Sequence, residues 1–597
     1  MKLESPSPFS FDATGPLKLV ASAGERLLGL KKLNDLYLER REGMTSRAFL
    51  RYILDVLGVN YTVVRGGLES IPKTGPVIVV ANHPFGAIEG VVLPDLLLKR
   101  RRDVKILANE YLHRISELSD LFIGVDVFGG NDATHSNMQG IKQALRQLKQ
   151  GGVLVVFPAG EVSTIDKSQK QVTDGEWNRI IGMLIRKTTA TTLPVYIEGK
   201  NSPLFHLAGM VHSRFRTMLL AREVLNKRKK TLRLHLGEPI DIGEMKSLKS
   251  DSAITQYVRL NTYLMASYAR ARKKQQKHNI RTMAPIAPAI DKALLQADVD
   301  NIQSDCLLVG KDDLQVYCAP ASRISNVLQE IGRLREITFR EVGEGTCMST
   351  DLDEYDDKYL HLFIWNRGTR EIAGAYRLGL VDRLMEKSGT RGLYSRSLFH
   401  YKNDFVESMG PAIEMGRSFI VSEYQRSLTS LLLLWKGIAT YAYRNPRYTT
   451  LFGPVSISSE YSELSRSLMS SFLEVHHYDQ DRSLQVKPTN PQKRPRKIFW
   501  TTRMLFELAD SQLISRLIYR MEGDKGLPIL IRQYLSLNGR LVCFNVDRDF
   551  NDALDGMIIV NLMDIPERVL GRYMGKAEAK EFLARKDEYP AQLVANQ

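Results

Sequence analysis

The chain has 597 residues, too many for one ordinary hydrophobic core, so we expect about two to four domains. Its composition, 43% hydrophobic and 25% charged, is typical of a folded protein. Lys and Arg outnumber Asp and Glu by 83 to 67, which gives a net charge of +16. This excess favours an anionic partner, either nucleic acid, anionic lipid or an acidic carrier protein, and does not choose among them.

Targeting and cysteine patterns exclude several classes of protein. The N-terminal sequence MKLESPSPFSFDATG lacks the apolar core of a secretory signal, and no stretch approaches about 18 consecutive apolar residues. We therefore expect any membrane role to be peripheral. The four cysteines have no metal-ligand spacing, which indicates a reducing compartment and predicts no metal site. They are Cys306, Cys318, Cys347 and Cys543.

An amphipathic helix is predicted near the N-terminus, from Lys18 to Arg41. Its apolar residues alternate with basic ones and are Leu19, Leu27, Leu28, Leu30, Leu33, Leu36 and Tyr37. Such a helix either lies in a lipid interface or packs on its own domain. We assign residues 1–45 to this element.

A first α/β domain is predicted over residues 46–275, because short apolar runs alternate there with helical stretches. The predicted strands are Pro76–Val80, Val104–Ala108, Val153–Phe157, Leu193–Ile197 and Leu232–Leu236. A basic run, YARARKKQQKHNIR, and the prolines of TMAPIAPAI then indicate a linker, which we place at residues 276–300.

A second α/β domain is predicted over residues 301–597. It begins with a helix through Asn326–Phe339, followed by two strands, YLHLFIWN and EIAGAYRLGL, on either side of the turn RGTR. A strand around Glu414–Val421, a strongly apolar helix at Leu428–Tyr443 and the strand TTLFGPVSIS come next.

The sequence ANHPFGAIEG, which follows the first apolar strand, is a candidate catalytic loop. A neutral imidazole at His83 can take the proton of an attacking alcohol, and a carboxylate behind it, such as Glu89, stabilises the cation that forms. A second strand leads into FPAGE, whose turn exposes backbone N–H groups suited to an oxyanion. Taken singly, a histidine after a strand is more often structural, and FPAG is also consistent with a simple tight turn.

The order of these motifs over roughly residues 50–240 resembles the glycerolipid acyltransferase superfamily, which includes the lysophosphatidic acid acyltransferases. The resemblance implies that His83 is the general base and Glu89 its partner. It also implies an acyl thioester donor, on acyl carrier protein or coenzyme A, and no cofactor. The residues that it places at the substrate are Asn82, Gly86, Phe157, Pro158, Gly160 and Glu161.

The chain departs from that family in two ways. The step from His83 to Glu89 is one residue longer than in the family, and Glu replaces Asp; we expect Gly86 to let the loop absorb the extra residue. The arginines with which the family grips a phosphate have no match in VFGGND or FPAGEVS. The subgroup that looks most similar acylates the hydroxyl of a 3-hydroxyacyl chain already amide-linked to an amino acid.

An ordered set of charged motifs lies in the second domain: LREITF, DLDEYDD, AYRL and EMGRSF. Singly they are read as surface ion pairs. Together they resemble the acyl-homoserine lactone synthases, a branch of the GNAT-like N-acyltransferases, and more closely the N-acyltransferase of ornithine-lipid synthesis. The resemblance covers about residues 305–570 and implies that an amine attacks a 3-hydroxyacyl thioester.

The resemblance gives roles to six charged residues of that domain. Acids that bind the ammonium group or relay its proton would be Asp353, Asp356 and Glu414, the last as the catalytic residue. Arginines that organise the pocket or hold the amino acid's carboxylate would be Arg335, Arg377 and Arg417. A backbone N–H near Gly416–Phe419 would polarise the thioester carbonyl.

The resulting prediction is a bifunctional acyltransferase that N-acylates ornithine and then O-acylates the product. The expected partners are acyl carrier protein, a membrane lipid surface and ornithine, at the cytoplasmic face of the bacterial inner membrane. One alternative keeps a lysophospholipid acyltransferase and changes the amine to glycine or glutamine. The other is a basic nucleic-acid-binding protein, which the lack of clustered aromatic and basic residues disfavours.

Overall fold

A computed structural model describes residues 28–109, 112, 115–125, 133–166, 171–267, 283–302, 305–426, 428–495 and 497–585. The chain folds into two compact units. The first is formed by Met1–Gln276 with Arg496–Leu513, and the second by Lys277–Pro495 with Ile514–Gln597. The assignment of residues 497–513 to the first unit has no counterpart in the sequence analysis, which places them in the C-terminal domain.

The first unit is built on a sheet of seven strands within its described residues, in the order β1-β9-β8-β2-β5-β3-β4. All neighbours are parallel except β8 and β9. The strands of this unit, including the separate hairpin β6–β7, are β1 Asn60–Arg65, β2 Val77–Ala81, β3 Val104–Asn109, β4 Phe122–Val125, β5 Val153–Val156, β6 Thr164–Asp166, β7 Gln171–Thr173, β8 Thr191–Glu198 and β9 Thr231–Leu236.

Helices cover this sheet, and every residue of β2 and β5 is buried. That explains why the predicted strands read as continuous apolar runs rather than as alternating ones. The helices are α1 Leu30–Leu38, α2 Ser46–Leu57, α3 Glu89–Leu97, α4 Ala133–Lys149, α5 Ile180–Thr188, α6 Pro203–Val211, α7 Ser213–Met218, α8 Leu220–Leu225 and α9 Asp251–Leu264. A short helix, Thr502–Phe506, belongs to the same unit.

The predicted amphipathic helix at the N-terminus lies partly outside the described residues, since Lys18 to Leu27 fall there. Its described part is α1. Leu36 and Tyr37 pack on the core of the first unit, and Tyr52 donates a hydrogen bond to the Leu36 carbonyl at 2.7 Å. The described part of this segment therefore packs on its own domain, and its contact with a lipid interface stays a prediction.

The second unit contains an eight-stranded sheet in the order β10-β11-β12-β13-β15-β16-β19-β18, within its described residues. Its neighbours are antiparallel except β15 and β16. The strands, including the small pair β14–β17, are β10 Leu307–Lys311, β11 Leu314–Pro320, β12 Leu360–Asn366, β13 Glu371–Leu380, β14 Phe399–His400, β15 Ala412–Ile420, β16 Thr450–Ile457, β17 Lys487–Pro488, β18 Arg540–Asp547 and β19 Ala553–Asn561.

The helices of the second unit are α10 Lys292–Asp300, α11 Ser325–Glu341, α12 Val381–Ser388, α13 Ser395–Leu398, α14 Asn403–Glu407, α15 Ser422–Gln425, α16 Leu428–Arg444, α17 Glu463–His476, α18 Gln480–Ser483, α19 Ser511–Glu522, α20 Ile529–Ser536, α21 Glu567–Met574 and α22 Lys576–Ala584. The predicted elements of this region, α11, β12, β13, β15, α16 and β16, form within about two residues of their expected ends.

The predicted fold class, a protein of two α/β domains, is confirmed. No helix among the described residues is both long and apolar enough to cross a membrane. The described residues likewise contain no cluster of three or more His, Cys, Asp or Glu suited to a metal ion.

Candidate active sites

His83 lies directly after β2, a central strand of the first sheet. The adjacent strand β5 ends at Val156, and Phe157 follows it. Because parallel strands carry their carboxyl ends to the same edge, the two loops meet there. The His83 ring stacks on the Phe157 ring, with 4.3 Å between centroids and 26° between planes. The imidazole is thus held at the sheet edge with 15% of its side chain exposed.

Glu89 lies behind His83, as the sequence analysis expects. Its Oε1 is 3.5 Å from Nδ1 of His83, and its side chain is fully buried. Oε1 also accepts hydrogen bonds from the backbone N–H groups of Phe85 and Gly86, the latter at 3.2 Å. Burial opposes ionisation of Glu89, but its attraction to His83 and these hydrogen bonds lower its pKa overall. A buried, ionised carboxylate therefore faces the imidazole.

The loop between the two residues depends on Gly86. Its φ of +100° lies where side chains are rarely accommodated. A Cβ at this position would also lie 2.5 Å from a methyl carbon of Leu220 and 2.7 Å from one of Val162. This geometry returns the chain so that α3 begins at Glu89, in agreement with the role expected for Gly86.

The Asn82 side chain is placed differently from the prediction. Its amide oxygen accepts from the Ile197 N–H at 2.7 Å, and its Nδ2 donates to the Ile197 carbonyl at 3.0 Å. Both polar atoms thus join β2 to β8 instead of facing a substrate. Asn82 is therefore a residue that positions His83.

Asp174 supports the same loop from another side, and the sequence analysis does not identify it. Its Oδ1 accepts from the backbone N–H of His83 at 3.2 Å and from the Ser163 hydroxyl at 2.5 Å. Its Oδ2 accepts from Trp177 Nε1 at 3.0 Å. The catalytic loop is thus tied to the segment after β5 by a buried carboxylate.

A cavity of about 960 Å³ opens beside His83. Most of its wall is apolar and comes from α1, α2, α3 and the loops after β3 and β5. The predicted substrate residues Gly86, Phe157, Pro158, Gly160 and Glu161 all line it. Its volume and apolar wall suit an acyl chain, and a histidine–carboxylate pair lies at its side.

A guanidinium group also enters this cavity. Arg216, on α7, lines it and is 8% exposed. Its Nη2 donates to Oε2 of Glu161 at 2.7 Å, and the Glu161 side chain is 54% exposed. The two motifs of the first domain indeed lack arginine, but the fold supplies one from 55 residues beyond Glu161. No motif in the sequence around RFR marks this residue.

In the second unit, the predicted arginines and aspartates pair with one another. Arg335 contacts Asp351 at 3.0 Å and Asp356 at 2.9 Å, and Arg377 contacts Asp353 at 2.6 Å. Burial opposes ionisation of Asp356, but Arg335 and Arg377 hold its pKa well below its usual value. Arg335 and Asp356 are nearly fully buried. They therefore organise the pocket and leave substrate contact to the partly exposed Asp353 and Arg417.

Arg377 lies beneath three aromatic rings. Its guanidinium carbon is 5.0 to 5.8 Å from the ring centroids of Tyr355, Tyr359 and Tyr394. Its Nε and Nη2 have no hydrogen-bond partner among the described residues. Cation–π contacts and the neighbouring aspartates compensate this buried charge. Arg377 therefore fixes the positions of the tyrosines and aspartates that line the pocket.

Glu414, for which a catalytic role is predicted, makes its hydrogen bonds within the protein. Its carboxylate is buried and accepts from the Tyr359 hydroxyl and from the backbone N–H groups of Tyr394, at 3.0 Å, and Ser395, at 2.7 Å. Both oxygens are used within the protein. Glu414 therefore positions the segment that carries Tyr394, whose hydroxyl accepts from Arg417 at 2.8 Å.

Strands β15 and β16 separate just beyond Glu414. They pair only over Ala412–Glu414, although both continue for several residues. Main-chain groups of β15 on that side, near Gly416–Phe419, therefore no longer pair with β16. The N–H donor expected there stays a prediction. Arg417 has φ +52° at this point, a costly conformation for a residue with a side chain.

Three buried acids surround Arg417 at this opening, and the sequence analysis identifies none of them. Ser456 and Asp555 pair across β16 and β19, and the Ser456 hydroxyl donates to Glu344 at 2.9 Å. Burial raises the pKa of Glu344 to about 7, with a further contribution from Asp547. Burial and these neighbours also raise the pKa of Asp555, while Arg417 lowers it. A proton acceptor suited to neutral pH is thus present.

Comparison with family models finds two matches in the chain. Residues 33–271 match the model described as an acyltransferase, and residues 334–436 match the model described as an acetyltransferase (GNAT) domain. The first match contains His83, Glu89, Glu161 and Arg216. The second contains the arginine–aspartate network and Glu414.

Two curated relatives carry different names. A glycine N(alpha)-acyltransferase of Bacteroides thetaiotaomicron is 30% identical over 48% of this chain and 88% of its own length. A lyso-glycine lipid O-acyltransferase of Phocaeicola vulgatus is 26% identical over 40% of this chain and 86% of its own length. Among solved structures, the 1-acyl-sn-glycerophosphate (LPA) acyltransferase PlsC from Thermotoga maritima matches at 20% identity, over 41% of this chain and 88% of that one. The TM-score of this match is 0.26.

Proposed function

The chain belongs to the family of the glycine N(alpha)-acyltransferases and joins an N-acyltransferase part to a lysolipid O-acyltransferase part, and we propose that together they build a diacylated amino-acid lipid. The second unit would form an amide between an amino acid and a 3-hydroxyacyl chain. The first unit would then esterify the 3-hydroxyl of that product. Both steps use an acyl thioester, for which the basic chain favours acyl carrier protein as the donor.

The O-acylation step is supported by one observation: the His83 imidazole, with the buried carboxylate of Glu89 behind it, lies beside a large apolar cavity. In this step the acceptor's hydroxyl oxygen attacks the thioester carbonyl carbon, and its proton passes to His83. Glu89 stabilises the imidazolium. The intermediate then expels the thiolate, which takes the proton from His83. The ester bond forms and the thioester bond breaks.

Arg216 and Glu161 give this site a means of choosing its acceptor. An N-acylated amino acid carries a free carboxylate, which a guanidinium binds by charge-assisted hydrogen bonds. Glu161 lies largely exposed beside Arg216, where it favours an acceptor that also carries an ammonium group. A zwitterionic headgroup, such as that of an ornithine lipid, satisfies both charges.

The N-acylation step would occur where β15 and β16 separate. Asp353, which is partly exposed, would bind the amine as its ammonium form, and Glu344 would take up a proton at neutral pH. The free amine attacks the thioester carbonyl carbon, whose oxygen would be polarised by a main-chain N–H of β15. The amide C–N bond forms, the C–S bond breaks, and the thiolate leaves with the proton that the nitrogen gives up. No covalent enzyme intermediate is needed.

Ornithine is the amino acid that the charges of this unit favour. Asp547, Asp555 and Glu344 lie near Arg417, and burial raises the pKa of all three, so a second ammonium group in this pocket would stabilise their ionised forms. The names of the two relatives favour glycine, which is the second candidate. Glycine has no side-chain ammonium group that could pair with these acids.

Tethering the two parts in one chain also suits this proposal. The intermediate has a single acyl chain, and covalent connection raises its effective concentration at the second site. We place the reaction at the cytoplasmic face of the bacterial inner membrane, where acyl thioesters and the lipid product meet.

The test is a competition assay with the purified chain. Ornithine, glycine and glutamine are supplied together with a 3-hydroxyacyl thioester of acyl carrier protein, and products are identified by mass spectrometry. We expect N-acyl ornithine first and its O-acylated form second. A mixture dominated by N-acyl glycine would favour the glycine lipid over the ornithine lipid, and the absence of any acylated amino acid would overturn the proposal.

A further inference from the structure

One surface of the first unit exposes large apolar side chains next to the cavity. Six residues of α6 and α7 are each between 46 and 77% exposed within the described residues: Leu204, Leu207, Met210, Val211, Phe215 and Met218. Helix α6 contains no charged residue. An exposed apolar patch of this kind marks a contact surface, because water otherwise solvates it unfavourably.

The exposed residues share one face of each helix. Along α6, Leu204, Leu207, Met210 and Val211 fall within an arc of about 120° at 100° per residue. Phe205 and His206, on the other side, are buried. Along α7, Phe215 and Met218 are one turn apart, and the helix packs against α6. The two helices thus form a hairpin with one continuous apolar face.

The opposite face of the hairpin belongs to the acyl cavity. Phe205, Arg216 and Thr217 line that cavity together with His83. The hairpin is therefore the wall between the site of O-acylation and the apolar surface outside. A substrate with an acyl chain and a charged head meets apolar groups on both sides of this wall.

Charge around the hairpin identifies the partner. From residue 200 to residue 230 the chain has eight Lys or Arg and one acid, Glu223, which is buried. Lys200, Arg222, Lys229 and Lys230 are exposed. An apolar face with a basic rim is the pattern of an interfacial helix on an anionic bilayer.

We propose that the α6–α7 hairpin inserts its apolar face into the surface of an anionic lipid bilayer and admits the lyso-lipid acceptor from there to His83. The proposal rests on the O-acyltransferase activity proposed above, because it concerns how that site receives its acceptor. It assigns a membrane contact to residues 203–218, in addition to residues 1–45, for which the sequence leaves a lipid interface open.

Tryptophan fluorescence tests the contact directly. The four native tryptophans are all buried: Trp177, Trp365, Trp435 and Trp500. A Phe215→Trp variant therefore adds one exposed reporter. We expect its emission to shift to the blue with vesicles that contain phosphatidylglycerol, and far less with phosphatidylcholine alone. The matched control is Phe506→Trp, because Phe506 is 71% exposed outside the hairpin.

Three results would overturn the assignment. One is an unchanged Phe215→Trp emission with anionic vesicles, and another is an equal shift in the Phe506→Trp variant. The third is a blue-shifted Phe215→Trp emission without vesicles, which would mean that a second copy or another segment of the chain covers the surface.

An activity assay separates this inference from the proposed function. The double variant Leu207→Ser, Val211→Ser should acylate a short-chain, water-soluble acceptor at the unmodified rate. With acceptor embedded in anionic vesicles, its rate should fall roughly ten-fold or more, since two apolar anchors are lost. Equal rates on vesicles would overturn the membrane contact. No acylation of the soluble acceptor by the unmodified chain would overturn the proposed function, while the fluorescence result would still decide the contact.

Discussion

Replacing Glu89 by Gln removes one charge from the first site and keeps the shape of the side chain. The Gln oxygen can still accept from the backbone N–H groups of Phe85 and Gly86, so we expect the loop to keep its conformation. What is lost is the attraction between a carboxylate and the imidazolium that forms at His83. The effect should therefore fall on the chemical step.

The size of the effect follows from the distance. At 3.5 Å between Nδ1 and Oε1, a charge pair is worth about 5 kcal/mol at an effective dielectric constant of about 20. The proton is only partly transferred in the transition state, so a fraction of this energy is lost. We expect kcat for O-acylation to fall roughly a hundred- to a thousand-fold, with little change in KM.

The assay is single-turnover transfer from an acyl thioester to a synthetic N-(3-hydroxyacyl) amino acid. The chain offers a matched control, because Glu198 and His235 form a second histidine–carboxylate contact in the same unit, outside the cavity wall. A Glu198→Gln variant should keep its rate. If Glu89→Gln stayed within about three-fold of the unmodified rate while folded, Glu89 would not be the partner of His83.

The remaining predictions concern one residue each. Arg216→Gln should raise KM for a lyso-lipid acceptor roughly ten- to a hundred-fold and leave KM unchanged when the acceptor carboxylate is amidated; equal effects on both would exclude carboxylate binding. Glu414→Gln should lower the stability of the second unit by about 2 kcal/mol and slow N-acylation, while O-acylation of supplied lyso-lipid continues; the surface variant Glu423→Gln serves as its control. For Glu344 the folded pKa of about 7 exceeds the usual carboxyl value, so the unfolded chain loses its proton first as pH rises. Stability should therefore fall by roughly 3 kcal/mol between about pH 4.5 and 7 and level off above. Thermal unfolding of Glu344→Gln should lack this fall, and an identical pH profile would contradict the assignment.

The sequence predicts those features that depend on local patterns. The strand predicted from Pro76 to Val80 forms at Val77–Ala81. It could be predicted because a parallel strand buried on both faces is a continuous apolar run. His83 and Glu89 come together because one short loop and the start of α3 hold both. Gly86 marks that loop, since only glycine tolerates its conformation and its neighbours.

The features that the sequence does not predict depend on contacts between distant segments. Arg216 reaches Glu161 across 55 residues, and only the packing of α7 on the cavity brings them together. Ser456 and Asp555 face each other because of strand register in the second sheet, and Glu344 reaches Ser456 from the loop after α11, which no local motif encodes. Likewise, the motif around Glu414 predicts a catalytic acid. Only the fold reveals that its carboxylate oxygens accept hydrogen bonds from the backbone N–H groups of Tyr394 and Ser395.

Lipid analysis after expression in a host without amino-acid lipids tests the central claim most directly. The unmodified chain should produce a diacylated ornithine lipid, and the His83→Ala variant should accumulate the mono-acylated form with its 3-hydroxyl free. The Glu198→Gln control should give the diacylated product. Persistence of the diacylated lipid in His83→Ala, or the absence of any acylated amino acid with the unmodified chain, would contradict the account.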